Sequence, residues 1–354
     1  MEEIEIADLR NLRHVRTDLS PGLNLFAGRN AQGKTSLLEA VGVLARGRSF
    51  RTEDVRSLIR TGASALRARG RTRDQARATA LEVEISAQGR RLRLDGREVP
   101  PRTYQGRLEV IVYSTERLKV IRGPMRERRQ YLDRGAAALW PAYRQALREY
   151  ERVVQQRNAL LEAGGAGQEA WDERLIVLGA CLRQRRGAYV ARLRDGLTRA
   201  FRPQGEDYAV SLQPAPSAGG EPGEQRRLAD ELTQRARDER HARRTLVGPH
   251  RDQVALTVDG TDAALHASSG QCRSLLLALS LATLEVYQAE QGSPAVALLD
   301  DLDSELDEER AASLCEEVAR RGQALVTTAH RGWAQRMRGL GRVFDVEQGE
   351  VRAA

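Results

Sequence analysis

An α/β fold of mixed sheets, interrupted by a long helical insertion, is what this sequence of 354 residues predicts. Three observations carry the prediction. A glycine-rich loop lies between an apolar strand and a helix near the N-terminus. Alternating strand patterns fill the region from Ala65 to about Val112 and return after Thr245. Between them, helical periodicity runs from Gly123 to about Phe201.

In chain order, Ile4-Glu5-Ile6 starts a strand, Leu9 to Arg13 reads as an exposed basic turn, and Asp18-Leu19-Ser20-Pro21-Gly22 as a second turn. The apolar run ending at Ala27 then leads into Gly28-Arg29-Asn30-Ala31-Gln32-Gly33-Lys34-Thr35, a full match to G-x-x-x-x-G-K-[ST], with a helix over Ser36 to about Leu44 behind it. Such a loop wraps a triphosphate: glycines let backbone N–H groups approach, and the helix points its positive end at the charge. Lys34 would reach the β- and γ-phosphates of ATP, and Thr35 would take a place on Mg²⁺. Of 57 basic residues only Lys34 and Lys119 are lysine, as expected if a compact ammonium is needed where a guanidinium cannot fit. The basic segment Gly47-Arg48-Ser49-Phe50-Arg51 follows, readable as a phosphate or DNA contact or as a solvated loop.

From Ala65 to about Val112 the alternation, as in Leu81-Glu82-Val83-Glu84-Ile85, predicts antiparallel hairpins with one wet face, whereas Leu108 to Tyr113 reads as a buried strand ended by Ser114-Thr115-Glu116. The helical region from Gly123 is broken at Gly164-Gly165-Ala166-Gly167 into a hairpin whose arms, at ~1.5 Å per residue, reach no more than about 60 Å. Its basic residues outnumber acidic ones, which suits either a solvated face or a DNA track. Pro203 to Gln225 reads as linker, Leu228 to about Arg244 as a charged helix, and Val254 to Val258 as a strand. The predicted domains are therefore 1–122 and 245–354, two parts of one head, with the helical arm at 123–244.

Composition narrows the function classes. A formal charge of +8, carried by arginine, suits a polyanionic partner. Cys181, Cys272 and Cys315 are too far apart for a zinc or disulfide pattern, which favours a reducing compartment. The N-terminal stretch is acidic, and no apolar run approaches the roughly 18 residues a membrane span needs, so a cytoplasmic protein without a membrane partner is expected.

Two further stretches complete a nucleotide site. Ala267-Ser268-Ser269-Gly270-Gln271-Cys272-Arg273 opens an apolar-rich helix, and by itself reads either as an ordinary capped helix start or as an open N-terminus suited to an anion. Ala295 to Leu299 is a buried strand ending in Asp300-Asp301, followed by Leu302-Asp303-Ser304-Glu305-Leu306-Asp307. Asp300 would hold Mg²⁺ through water and Asp301 would orient the attacking water. The strand Ala324 to Ala329 brings His330 to its end, where it reads either as a surface residue or as a group within reach of a γ-phosphate.

This order of motifs resembles the ABC-type ATPase heads, and the helical insertion is similar to that of their SMC-like, DNA-working branch. Within that branch the chain resembles the RecF family. The residues that carry the resemblance are Arg10-Asn11, Gly28 to Ala40, Gly47 to Arg51, Gly123-Pro124 with Arg128-Arg129 and Leu132-Asp133, Gly248-Pro249-His250-Arg251-Asp252, Ala267-Ser268 with Gly270-Gln271 and Arg273, and Leu298 to Asp301 with Ser304 to Asp307. Gly-Pro-His-Arg-Asp is the most specific, since a generic ATPase has no need of it. The sequence departs from the family pattern at Ser269, Cys272 and Gln253.

The resemblance implies a slow ATPase used as a switch, in which Ser268, Gly270 and Gln271 cap ATP held by a second copy, so that a homodimer closes on DNA. It also implies loading of the recombinase at single-strand gaps with RecO and RecR, in support of replication and the SOS response. The alternatives are an ABC transporter nucleotide-binding subunit, which predicts an apolar docking groove and no salt-dependent DNA affinity, and a metal-dependent nuclease of the same head class.

Overall fold

The computed structural model describes residues 1–74, 77–164, 167–199, 205–292, 295–302 and 308–354. The chain divides into two groups, Met1–Leu118 with Tyr287–Ala354, and Lys119–Val286. The segment from Thr245 to Val286, assigned to the head from sequence, therefore groups with the helical insertion.

With elements numbered along the whole chain, the first group opens with β1 (Glu3–Leu9), β2 (Leu12–Asp18), β3 (Leu23–Ala27), α1 (Lys34–Arg46), β4 (Ala65–Asp74), β5 (Arg77–Ser86), β6 (Gly89–Leu94), β7 (Arg97–Glu98), α2 (Pro101–Tyr104) and β8 (Val110–Tyr113). It closes with β12 (Val296–Leu299), α10 (Glu308–Arg321), β13 (Ala324–Thr328), α11 (Arg331–Arg336), β14 (Gly341–Glu347) and β15 (Glu350–Ala353). One sheet is antiparallel in the order β2-β1-β4-β5-β6-β7; the other runs β15-β14-β3-β13-β12-β8 and is parallel except at β15.

The two sheets differ as their sequences require. The parallel strands β3, β8, β12 and β13 are buried along their whole length and are almost wholly apolar. Strands β4 and β5 alternate, turning Leu66, Ala68, Leu81, Val83 and Ile85 inward against Leu37, Leu38, Val41 and Leu44 of α1 in one core. Each such aliphatic side chain contributes on the order of 1.5–3 kcal/mol by leaving water. On the wet face Arg67 meets Glu84 at 2.8 Å and Arg69 meets Glu82 at 2.8 Å, so this sheet spends its arginines on its own carboxylates.

The second group contains α3 (Lys119–Arg122), α4 (Met125–Leu139), α5 (Pro141–Glu162), α6 (Glu169–Arg199), β9 (Tyr208–Gln213), α7 (Gly220–Ala242), β10 (Gln253–Val258), β11 (Thr261–Asp262), α8 (Ala263–His266) and the start of α9 (Ser269–Gln291). The expected helical hairpin is present as α5 and α6, but its first arm is split. Pro141 lacks the N–H that would continue α4 and holds Trp140 extended at φ −125°, so a new helix begins there. The stretch read as linker contains β9, paired antiparallel with β10, and the first turn of α7. Alternation in Tyr208-Ala209-Val210-Ser211-Leu212 signals that strand, but the surrounding prolines and glycines masked it.

The Gly-Pro-His-Arg-Asp motif sits at the centre of this group and is structural. Asp252 is buried against Arg183 at 2.9 Å and Arg186 at 3.4 Å, and Arg186 also reaches Asp133 at 2.8 Å and the Pro249 carbonyl at 2.8 Å. Arg183 extends the network to Glu224 at 3.0 Å. Arg128 donates to the carbonyls of Val254 and Ile121, fixing α4 on β10.

His250 lies 2.7 Å from the Tyr150 hydroxyl through Nδ1 and 3.3 Å from the Thr245 carbonyl through Nε2, a pair satisfied by one neutral tautomer with the proton on Nε2. Burial pushes its pKa down to about 4. Because the unfolded imidazole titrates near 6.5, the unfolded chain binds the proton first. Stability from this group is therefore complete above about pH 6.5 and falls by about 3 kcal/mol as pH drops to 4. In His250→Gln that difference between pH 7 and 4, measured by urea titration, should shrink accordingly; an unaltered pH dependence would contradict the assignment.

Candidate functional site

The five parallel strands present their C-terminal ends at one edge, where α/β sheets receive ligands. Gly28 follows β3, Ser114 follows β8, Asp300 follows β12, and Ala329-His330 follow β13. Since β13 lies between β3 and β12, the loop and the acidic pair are separated by one strand, and the ladder sets their spacing.

Gly28 begins the loop with its N–H on the Thr328 carbonyl at 3.2 Å, and a Cβ there would stand 2.2 Å from the Val346 carbonyl oxygen, so only glycine fits. Gly33 takes φ +112° and Ala31 φ +65°, curling the loop back on itself. Lys34 is buried, and its ammonium donates to the carbonyls of Gly28 at 2.6 Å and Arg29 at 3.0 Å, which places the charge at the loop's centre. Arg29, Asn30 and Ala31 are exposed. The turn after β14 pins the far side, where Gly349 N–H reaches the Gln32 carbonyl at 2.9 Å and Gln348 N–H its side-chain oxygen at 2.7 Å.

The residues fit a triphosphate on a feature independent of the motif. Helix α1 has glycine at its N-cap, no side-chain cap and no acid in its first turn, so its leading N–H groups and dipole are left to an outside anion.

The acidic strand joins the loop directly. Thr35 Oγ1 donates to Asp300 Oδ1 at 2.9 Å, and Thr327 Oγ1 donates to the same oxygen at 2.7 Å. Burial raises the Asp300 carboxyl above its ordinary range, against the pull of both hydroxyls. A hydroxyl and a carboxylate held this way are the hard oxygen donors a divalent cation takes. Asp301 sits at φ +57° with its N–H on Thr327 Oγ1 at 2.8 Å. His330 stands at the N-cap position of α11 without a side-chain cap bond, its N–H on Thr328 Oγ1 at 3.0 Å. Asp303, Ser304, Glu305, Leu306 and Asp307 lie outside the described residues.

Three contributors were given no role by the sequence reading, although Asn11 and Glu39 lie in stretches that carry the resemblance. Thr327, the first of two hydroxyls that end the apolar strand β13, was the one detectable signal. Asn11 accepts from Ser36 Oγ at 3.0 Å and clamps α1 from the β1–β2 turn. Glu39, fully buried on α1, takes Arg10 at 2.5 Å and the Ser49 hydroxyl, with Arg51 at 3.8 Å. The turn read as exposed and basic is therefore tied by Arg10 to a buried carboxylate. The same carboxylate ties the Gly47–Arg51 segment to the nucleotide helix, and Arg51 also binds Glu116 at 2.7 Å just beyond β8.

The serine-glycine-glutamine stretch is in the other group of the chain. Ser268 N–H reaches Gln271 Oε1 at 2.9 Å and Gln271 N–H reaches Ser268 Oγ at 3.1 Å, a reciprocal capping box that fixes the start of α9. Ser268, Ser269 and Gly270 are exposed.

Residues 1–352 match the family model described as RecF/RecN/SMC N terminal domain. A protein named DNA replication and repair protein RecF from Symbiobacterium thermophilum is 37% identical over 348 residues, covering 92% of this chain and 90% of its own length. The chain belongs to the RecF family. Its namesake from Frankia alni is 37% identical and covers 93% of both chains. Among solved structures, one titled as the recombination mediator protein RecF with ATP in the RecFOR pathway superposes with a TM-score of 0.90 at 27% identity, over 100% of this chain and 98% of that one. An Smc head bound to the C-winged helix domain of ScpA, with a TM-score of 0.59 at 15% identity over 100% of this chain and 96% of that one, shares the fold. The RecF and SMC likeness bears out an ABC-type ATPase head fold. Among the described residues no helix is long and apolar enough to cross a membrane.

Proposed function

We propose that this RecF-family chain is an ATP-dependent DNA-binding protein of replication and recombinational repair. The observation that carries the reading is the direct bond from Thr35 to Asp300, which joins the phosphate loop to the acidic strand in a chain similar over its full length to an ATP-bound RecF. Backbone N–H groups from Gly28 to Thr35 and the Lys34 ammonium hold the phosphates. Thr35 and Asp300 hold Mg²⁺, which when bound neutralises charge on the β- and γ-phosphate oxygens. Asp301 orients the attacking water, and His330 stands at the same sheet edge. The aspartate side chain of Asp301 has a shorter reach than a glutamate would have, which suits slow hydrolysis and a long-lived ATP state.

Ser268, Gly270 and Gln271 act in trans. The exposure of Ser268 and Gly270 at a capped helix start leaves them available to a second copy, so ATP closes a homodimer that grips DNA at single-strand gaps. Action beside RecO and RecR in the cytoplasm, in support of the SOS response, is part of this reading, and membership of the family and the RecFOR pathway of the solved relative support it. Sedimentation with saturating ATP and Mg²⁺ tests the pairing. The parent should dimerise, whereas Ser268→Arg should stay monomeric and still bind ATP. Equal dimerisation of the two would remove the trans role.

A further inference from the structure

Helix α7 ends in a run of cations that the fold leaves without partners. Residues 235–244 hold five arginines, His241 and two carboxylates, Asp238 and Glu239. Both carboxylates are already engaged. Asp238 meets Arg235 at 3.0 Å, and Glu239 turns inward, where it takes the buried Arg157 guanidinium at 2.6 Å and the Leu246 N–H at 2.7 Å. Arg237, Arg240, Arg243 and Arg244 are exposed, and among the described residues none of their guanidiniums has a hydrogen bond or an ion pair.

Arg237, Arg240 and His241, three and four residues apart, share the face of α7 turned from Glu239. The end of the helix is fixed. Arg243 closes it with its N–H on the Glu239 carbonyl, and Thr245, fully buried, is held by its N–H on Asn158 Oδ1 at 2.7 Å. The cations therefore stand on a rigid corner, with little backbone motion left to freeze when they bind.

The dipole of α7 favours cations in its last turn, which gives Arg240 and His241 a structural use. Arg243 stands at the cap itself at φ +51°, in the left-handed region where a side chain is strained and glycine is not. Helix α1 has Gly47 at φ +62° in the same position. The Arg243 guanidinium is therefore held against backbone strain. Residues 235–244 also carry no aliphatic side chain larger than alanine, whereas the centre of a protein interface is apolar and depleted of charge. Four free guanidiniums without an apolar anchor suit a polyanion.

We propose that Arg237, Arg240, Arg243 and Arg244 grip the phosphodiester backbone of DNA, each donating to phosphate oxygens. The inference rests on the DNA-binding function proposed above and adds where on the chain the strand is held. Such contacts carry no base information, so binding here is independent of sequence.

The test is equilibrium binding of the full chain, with ATP and Mg²⁺, to a labelled single strand and a labelled duplex of mixed sequence across a potassium chloride series. Arg240→Gln combined with Arg244→Gln should lower the slope of log affinity against log salt by about 1.4 on the single strand and about 1.8 on the duplex, the loss of two phosphate contacts, with ATP affinity unchanged. Arg243→Gly should lower it by about 0.7 to 0.9 and leave the thermal midpoint equal to or above the parent's, because the change that removes a contact also relieves the backbone. Arg243→Lys should keep the parent slope. A parent slope in the double glutamine variant would overturn the inference and leave DNA binding by the chain intact, as would variants that lose only retention of poly-glutamate, a stand-in for an acidic protein. The inference also fails if Arg243→Gly lowers the midpoint and keeps the parent slope. A parent that binds neither DNA would instead remove the proposed function, and this inference with it.

Discussion

Lys34→Met is expected to reduce ATP affinity by at least about 100-fold, through loss of the only ammonium that the loop encloses. Its two carbonyl partners, Gly28 at 2.6 Å and Arg29 at 3.0 Å, hold the charge inside the curl of the backbone. Hydrogen bonds between charged partners contribute about 1.5–3 kcal/mol each, and a triphosphate draws more than one from a lysine, so a loss of about 3 kcal/mol or more is the expected scale. Methionine is close to lysine in length and apolar, so the volume is kept and the fold should survive. Isothermal titration with ATP, alongside a thermal unfolding curve, separates the two effects. Affinity within threefold of the parent would show that the loop does not use Lys34 as assigned.

Asp252→Ala should be the most damaging single change outside the loop. Asp252 neutralises both Arg183 and Arg186, all three are buried, and its removal leaves two guanidiniums without a carboxylate they share. Breaking a buried ion pair from one side costs about 3–5 kcal/mol where the remaining charge is left uncompensated; here Arg183 keeps Glu224 and Arg186 keeps Asp133, so the lower end, about 3 kcal/mol, is expected. Asp238→Ala is the comparator: its partner Arg235 is at a similar distance, 3.0 Å, but both side chains are more than half exposed, and a cost within about 0.5 kcal/mol is expected. Native-state hydrogen exchange along α6 reads both variants locally. If Asp252→Ala leaves α6 protection within about 1 kcal/mol of the parent, the network does not hold this group together.

That second result bears on how a family motif is to be understood. The Gly-Pro-His-Arg-Asp run is the most specific family signal in the sequence, and specificity of that kind invites a ligand-binding role. Its neighbours point elsewhere. His250 is held by Tyr150 and Thr245, Asp252 by two arginines from α6, and the Pro249 carbonyl by Arg186, so the motif joins the helical insertion to the β9–β10 sheet. Apart from Thr245, these partners lie tens of residues away along the chain, and a linear reading cannot identify them.

The sequence by itself determined the strand–loop–helix around Lys34, the wet-faced hairpins, the helical arms and the acidic strand end. Each of these depends on spacing within a short window: glycines at fixed offsets, alternation at period two, or apolar recurrence at period 3.6. Only the tertiary structure decided that Thr327 and Thr35 converge on one oxygen of Asp300, that Glu39 is the buried anchor for Arg10, Ser49 and Arg51, and that β9 pairs with β10 inside an apparent linker. Those features depend on strand order and on charges that stay buried only where a distant partner neutralises them. A burial cost and its compensation lie at separate places in the chain, and folding alone brings them together.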